Sequence, residues 1–181
     1  IIFSYNEHEQ LYPASITKVL TALVVVENVK LDDLVVVGDE VKLIADDGSK
    51  AGLKVGDTYT VEDLLMGLML VSGNDAANTL AVHTARVQSG DMDMEPKAAI
   101  EHFVGLMNDK AKELGAENSH FVNPHGYHHR DHYTTAYDMA LITKAATNHP
   151  EIERIGSTDR YEVNGHMWIN TNYMVVEGST G

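Results

Sequence analysis

The stretch that most constrains this chain is Pro13-Ala14-Ser15-Ile16-Thr17-Lys18, with the apolar run behind it. Val19, Leu20 and Leu23 share one helical face, and Val24, Val25 and Val26 carry apolar character round to the others. A helix apolar nearly all round has to be enclosed by other elements. Its first turn nevertheless holds a serine and a lysine three residues apart, which is one face of a helix. Pro13 cannot continue a helix from upstream and helps set the start. The spacing predicts a buried helix from Ser15 to Asn28 with a hydroxyl and an amine side by side at its mouth.

That pairing suits nucleophilic catalysis. A serine hydroxyl is a poor nucleophile until a neighbouring base takes its proton. A free lysine, with a pKa of about 10.4, is protonated at neutral pH, but burial can lower that value by roughly 3–5 units. The helix N-terminus adds positive partial charge that favours anions close to Ser15. The plainer alternative makes Ser15 an N-cap and Lys18 a first-turn surface residue.

Several function classes are excluded by charge and composition. Among 181 residues, 13 Lys and Arg stand against 27 Asp and Glu, a net charge of −14. A nucleic-acid partner would need a basic face, and anionic lipid would repel such a chain. There is no cysteine, so disulfides and thiolate metal sites are excluded. No apolar run approaches the roughly 18–20 residues of a membrane span, and no signal peptide is visible at the start.

Further along, Ile1 to Tyr5 reads as a short strand and Leu34 to Val37 as another, closed by Gly38. Small strands and tight turns are expected between Asp46 and Thr60. Thr60 and Asp63 form a variant capping box for a helix ending at Val71. Ser72-Gly73-Asn74-Asp75 reads as a loop, followed by a helix from about Ala76 to Arg86. Pro96 opens a helix with an apolar stripe from Ile100 to Leu114, and Gly115 is its expected terminator. A further helix opens near Thr134 and is limited by Pro150. Tyr161 to Ile169 reads as one strand. Helices in the middle and strands at both ends favour an α+β fold, with one antiparallel sheet built from the chain ends and packed against the helical region.

Two more constellations carry chemistry. In Ser72-Gly73-Asn74, the serine can relay a proton and the asparagine can hold a substrate carbonyl or amide; the alternative is an ordinary interhelical turn. The loop from Asn118 to Tyr133 holds His120, His125, His128, His129 and His132. Imidazole is a common zinc ligand, but H-E-x-x-H is absent and no helix fixes the spacing. Phe121 to Gly126 reads instead as a structural turn packed by Phe121, so no metal and no cofactor are expected.

Taken together, these runs resemble the D-alanyl-D-alanine carboxypeptidases, the low-molecular-mass penicillin-binding proteins of the serine peptidase kind. The resemblance is carried by Pro13–Lys18, Leu70–Ala77, Met107-Asn108, Leu114-Gly115, His120–Gly126, Tyr133–Ala140 and Asn170-Thr171-Asn172. S-x-x-K with a second serine motif and K-T-G is the signature of penicillin-binding proteins and class A β-lactamases. The resemblance implies a serine β-lactamase/transpeptidase-like fold. It implies Ser15 as the acylated nucleophile, Lys18 as its base, Ser72 as a proton relay and Asn74 as a ligand for the substrate's peptide group. The Ser15 N–H would form half of the oxyanion hole. Peptidoglycan stem peptides would be the substrate and β-lactams the inhibitors, in an extracytoplasmic setting, with membrane attachment only through segments outside this sequence.

One departure stands out. No lysine is followed by Thr-Gly or Ser-Gly, and Ser179-Thr180-Gly181 has the letters without the lysine. The expectation is a single catalytic domain over residues 1–181, cut at both ends, with K-T-G beyond Gly181. The rival readings are a class A β-lactamase, for which no E-x-x-L-N segment is present, and a non-catalytic cell-wall binding module on the same fold.

Overall fold

The computed structural model describes residues 5–172 and 175. The apolar run behind Ser15 forms α1 (Thr17–Asn28) and is enclosed as its composition requires. Leu20, Leu23 and Val25 are wholly buried, and α1 packs against α2 (Val61–Leu70), α3 (Asn74–Ser89), α4 (Pro96–Glu113) and α5 (Ala136–Ala146). Burying a Leu or Val side chain contributes roughly 1.5–3 kcal/mol, so this helix anchors the fold and fixes whatever its first turn carries. That turn is a short 3-10 segment, Ala14–Ile16, preceding α1 instead of belonging to it.

Local chemistry explains the helix ends. Thr60 Oγ1 accepts from the Asp63 N–H at 3.0 Å while the Asp63 carboxylate accepts from the Thr60 N–H at 2.8 Å, so the capping box at α2 is reciprocal. α3 begins two residues earlier than expected, at Asn74, and runs on to Ser89, where left-handed Gly90 ends it. Asn74 is therefore a first-turn helical residue, not a loop residue. Pro150 limits α5 as expected but also opens α6 (Pro150–Gly156). A proline at the first helical position loses no hydrogen bond.

Among the described residues the strands form two separate antiparallel pairs: β1 (Leu34–Val36) with β2 (Thr58–Thr60), and β3 (Arg160–Val163) with β4 (His166–Ile169). The expected single strand from Tyr161 to Ile169 is thus a hairpin. Asn164 and Gly165 both take positive φ, 48° and 78°, as a tight two-residue hairpin turn demands. No strand forms between Asp46 and Asp57. The N–H groups of Ala51, Gly52 and Leu53 go to the Asp75 carboxylate, leaving none for a ladder. Of the strands expected to join the chain ends in one sheet, Ile1 to Tyr5 lies outside the described residues apart from Tyr5, and Tyr161 to Ile169 pairs within its own hairpin. The architecture is α+β, and its helical core positions the site described next.

Candidate active site

Three of the four residues singled out in the sequence meet at the mouth of α1. Lys18 is 3% exposed, while Ser15 in the preceding turn is open to solvent. The Lys18 Nζ donates to Asn74 Oδ1 at 2.8 Å and to the His125 carbonyl at 2.8 Å, and lies 3.2 Å from Ser15 Oγ. Burial lowers the Lys18 pKa to about 8, opposed in part by the Asp75 carboxylate. A neutral amine has two N–H bonds and one lone pair. Two acceptors take the two N–H bonds, and the remaining direction faces the serine. The Ser15 N–H is a first-turn donor with no backbone acceptor among the described residues.

The fourth residue, Ser72, makes no side-chain hydrogen bond to the other three. Its backbone is left-handed at φ 57°, its Oγ is buried without a hydrogen-bond partner among the described residues, and its carbonyl accepts from Ser49 Oγ at 2.7 Å. No hydrogen bond joins it to Ser15 or Lys18 in this conformation.

The histidine loop acts as a strap over α1. Thr21 Oγ1 donates to the Pro124 carbonyl at 2.6 Å, and Lys18 reaches the next carbonyl, that of His125. His132 Nδ1 accepts from the Val122 N–H at 3.1 Å, so its proton sits on Nε2 and is donated to Thr17 Oγ1 at 2.8 Å. His125 Nδ1 likewise accepts from the Tyr127 N–H. Burial pushes His125 down to about 3, with the Lys18 and His132 charges adding to the effect, and His132 down to about 4, aided by His120 and His129. Both rings are neutral at ordinary pH. Among the described residues no three His, Cys, Asp or Glu side chains converge to hold a metal ion. Phe121 is wholly buried, as its reading as a packing residue requires.

Gly126 marks the closest approach. At φ 83°, a Cβ there would collide with the Ala14 carbonyl and lie 2.9 Å from Thr17 Oγ1. Ala14 itself takes φ 48°, unusual for a residue with a side chain and located directly before the serine. Strain of this kind persists only where its surroundings enforce it.

Two elements went unread in the sequence. Asp75, 2% exposed, accepts four N–H groups, from Ala51, Gly52, Leu53 and Ala76, and so locks the 51–53 segment onto the N-terminus of α3 beside Asn74. Trp168 Nε1 donates to the Ala51 carbonyl at 2.9 Å from the other side. An acid in the first turn of a helix was the available signal for Asp75. Nothing local announced the Trp168 contact, which spans 117 residues.

A pocket of about 270 Å³ opens over Ser15, lined by Tyr12, Asp47, Ser49, Asn74, His125 and Tyr127 among others. The sequence profile of the D-alanyl-D-alanine carboxypeptidase family matches residues 1–181.

The chain belongs to that family.

The family's relatives agree in sequence and in shape. D-alanyl-D-alanine carboxypeptidase DacF of Bacillus subtilis is 34% identical over 185 residues, covering 97% of this chain and 44% of its own length. The crystal structure of the Streptomyces K15 DD-transpeptidase superposes with a TM-score of 0.86 at 30% identity, covering 96% of this chain and 70% of that one. Penicillin-binding protein 6B of Escherichia coli gives 0.83 at 32% identity, over 96% of this chain and 54% of its own. The chain spans less than half the length of the DacF protein it matches. The fold is that of the penicillin-binding DD-peptidases. Expectations placed on Ser179-Thr180-Gly181 lie outside the described residues.

Proposed function

We propose that this chain carries the catalytic centre of a serine-type D-Ala-D-Ala carboxypeptidase that removes the terminal D-alanine from peptidoglycan stem peptides. The observation that carries the reading is the three-way environment of Lys18 Nζ, which directs the lone pair of a neutral amine at Ser15 Oγ.

In that mechanism Ser15 Oγ attacks the carbonyl carbon of the penultimate D-alanine as Lys18 takes its proton. The Ser15 N–H donates to the developing oxyanion, where such donors act most strongly. The tetrahedral adduct expels D-alanine, which leaves with a proton and the electron pair of the broken C–N bond. Water then hydrolyses the Ser15 ester. Asn74 fixes the amine through Oδ1, while Nδ2 faces the pocket wall at Gly48 and is free to donate to a substrate peptide carbonyl. Ser72 would return the proton to the leaving amine after its hydroxyl turns toward the pair, an arrangement that substrate would have to induce. Residues 1–181 would belong to a single catalytic domain working outside the cytoplasm, with β-lactams as acylating inhibitors and neither metal nor nucleic acid required.

The test is D-alanine release from a peptide ending in D-Ala-D-Ala, alongside labelling by a fluorescent penicillin in the full-length protein. Release with lasting label supports the reading. Rapid loss of label points to a β-lactamase, and no label with no release to a binding module.

A further inference from the structure

The pocket over Ser15 has one formal anion at its rim. Asp47, exposed on the 46–49 turn, lines it together with Tyr127 from the histidine loop, and Tyr127 Oη donates to Asp47 Oδ1 at 2.9 Å across 80 residues of sequence. Of the histidines in the lining, burial holds His125 and His132 neutral at ordinary pH. No Lys, Arg or His among the described residues pairs with Asp47, since the described ion pairs all lie elsewhere. Nearby Lys50 donates instead to the Asp46 carbonyl, at 3.2 Å. The phenol is raised above its ordinary pKa by this carboxylate, so it stays a donor.

The carboxylate is therefore held from one side by a neutral donor, and Asp47 is otherwise exposed, with no second hydrogen bond to it among the described residues. A carboxylate accepts at about four lone-pair positions, and its strongest complement is a cationic N–H donor. We propose that Asp47, oriented by Tyr127, is a specificity-determining residue that recognises a primary ammonium group on a side chain of the peptide substrate, upstream of the bond that Ser15 attacks. The inference rests on the carboxypeptidase reading and deepens it, selecting stem peptides whose diamino acid keeps its side-chain amine free. The turn that bears Asp47 is itself fixed: Ser49 Oγ donates to the Ser72 carbonyl and the Ser49 carbonyl accepts from the Asn74 N–H at 2.9 Å, so the anion sits in register with the substrate-facing amide.

The experiment compares two peptides ending in D-Ala-D-Ala, identical except that the upstream lysine is free in one and Nε-acetylated in the other, using the full-length protein at low salt. The expected kcat/KM favours the free amine by roughly two- to fivefold, the scale of an exposed ion pair. The ratio shrinks toward one at high salt and in Asp47→Asn, whose exposed position leaves the fold intact. Tyr127→Phe, which only frees the carboxylate, keeps a preference above that of Asp47→Asn. Equal rates on the two peptides, or a preference untouched by Asp47→Asn, overturn the proposal alone. Absence of D-alanine release from both peptides strikes the carboxypeptidase reading and takes the proposal with it.

Discussion

Replacing Asp75 with asparagine tests the link between the packing of the fold and the chemistry of Lys18. Asp75 Oδ1 accepts from the Ala51 and Ala76 N–H groups at 2.8 and 3.0 Å, and Oδ2 from Gly52 and Leu53 at 2.9 and 3.0 Å. An asparagine can serve one pair only; its NH₂ then faces two N–H donors. Hydrogen bonds to a charged group contribute about 1.5–3 kcal/mol each, so losing two costs about 3 kcal/mol or more. In a domain of this size each kcal/mol shifts Tm by about 2–4 °C, which predicts a fall of about 6–12 °C by differential scanning calorimetry. The same change removes the charge that partly holds up the Lys18 pKa. The pH midpoint of penicillin acylation should therefore move below the wild-type value of about 8. The paired readouts separate the two roles. An unchanged Tm would refute the clamp, and a midpoint that stays or rises would refute the electrostatic coupling.

Three further outcomes follow from the same geometry. Lys18→Arg keeps a cation but cannot supply a neutral base at neutral pH, so stopped-flow acylation by a penicillin should fall by at least a hundredfold while circular dichroism shows a folded protein. Gly126→Ala should slow acylation and lower Tm together, because a side chain at φ 83° costs about 1–2 kcal/mol and this one also meets the Ala14 carbonyl that precedes Ser15. His125 and His132 have folded values near 3 and 4, below the ordinary 6.5, so the unfolded chain gains protons first as pH falls. Their stabilisation is intact above pH 6.5 and is lost as pH drops toward 4 and then 3. Urea midpoints should decline across that window, and less steeply in a His132→Gln variant.

Much of the site was legible because its chemistry is local. Ser15 and Lys18 lie within one turn, so helical spacing alone put them together, and an apolar helix behind them implied a buried amine. The capping box at Thr60 and the packing role of Phe121 were readable for the same reason. What was missed depends on distance. The third neighbour of Lys18 is the His125 carbonyl, 107 residues away, and backbone acceptors leave no mark in a sequence. The Asp75 clamp gathers three of its donors from a segment more than 20 residues upstream, so of the small strands expected between Asp46 and Thr60 only β2 (Thr58–Thr60) forms. The β3–β4 turn is a different case: Asn164-Gly165 is a strong local hairpin signal, overlooked because Tyr161 to Ile169 also satisfies the alternation of a longer strand. Ser72 was singled out by motif; its backbone is left-handed and its hydroxyl is buried without a hydrogen-bond partner among the described residues, a local conformation the motif does not announce.

The central claim is that the Lys18 amine activates Ser15, and the most direct measurement is where a penicillin attaches. Intact-mass analysis after penicillin treatment, followed by peptide mapping, should show one adduct on Ser15, formed faster as pH rises through about 8 and absent from Ser15→Ala. An adduct on Ser72, or one that survives Ser15→Ala, would contradict it.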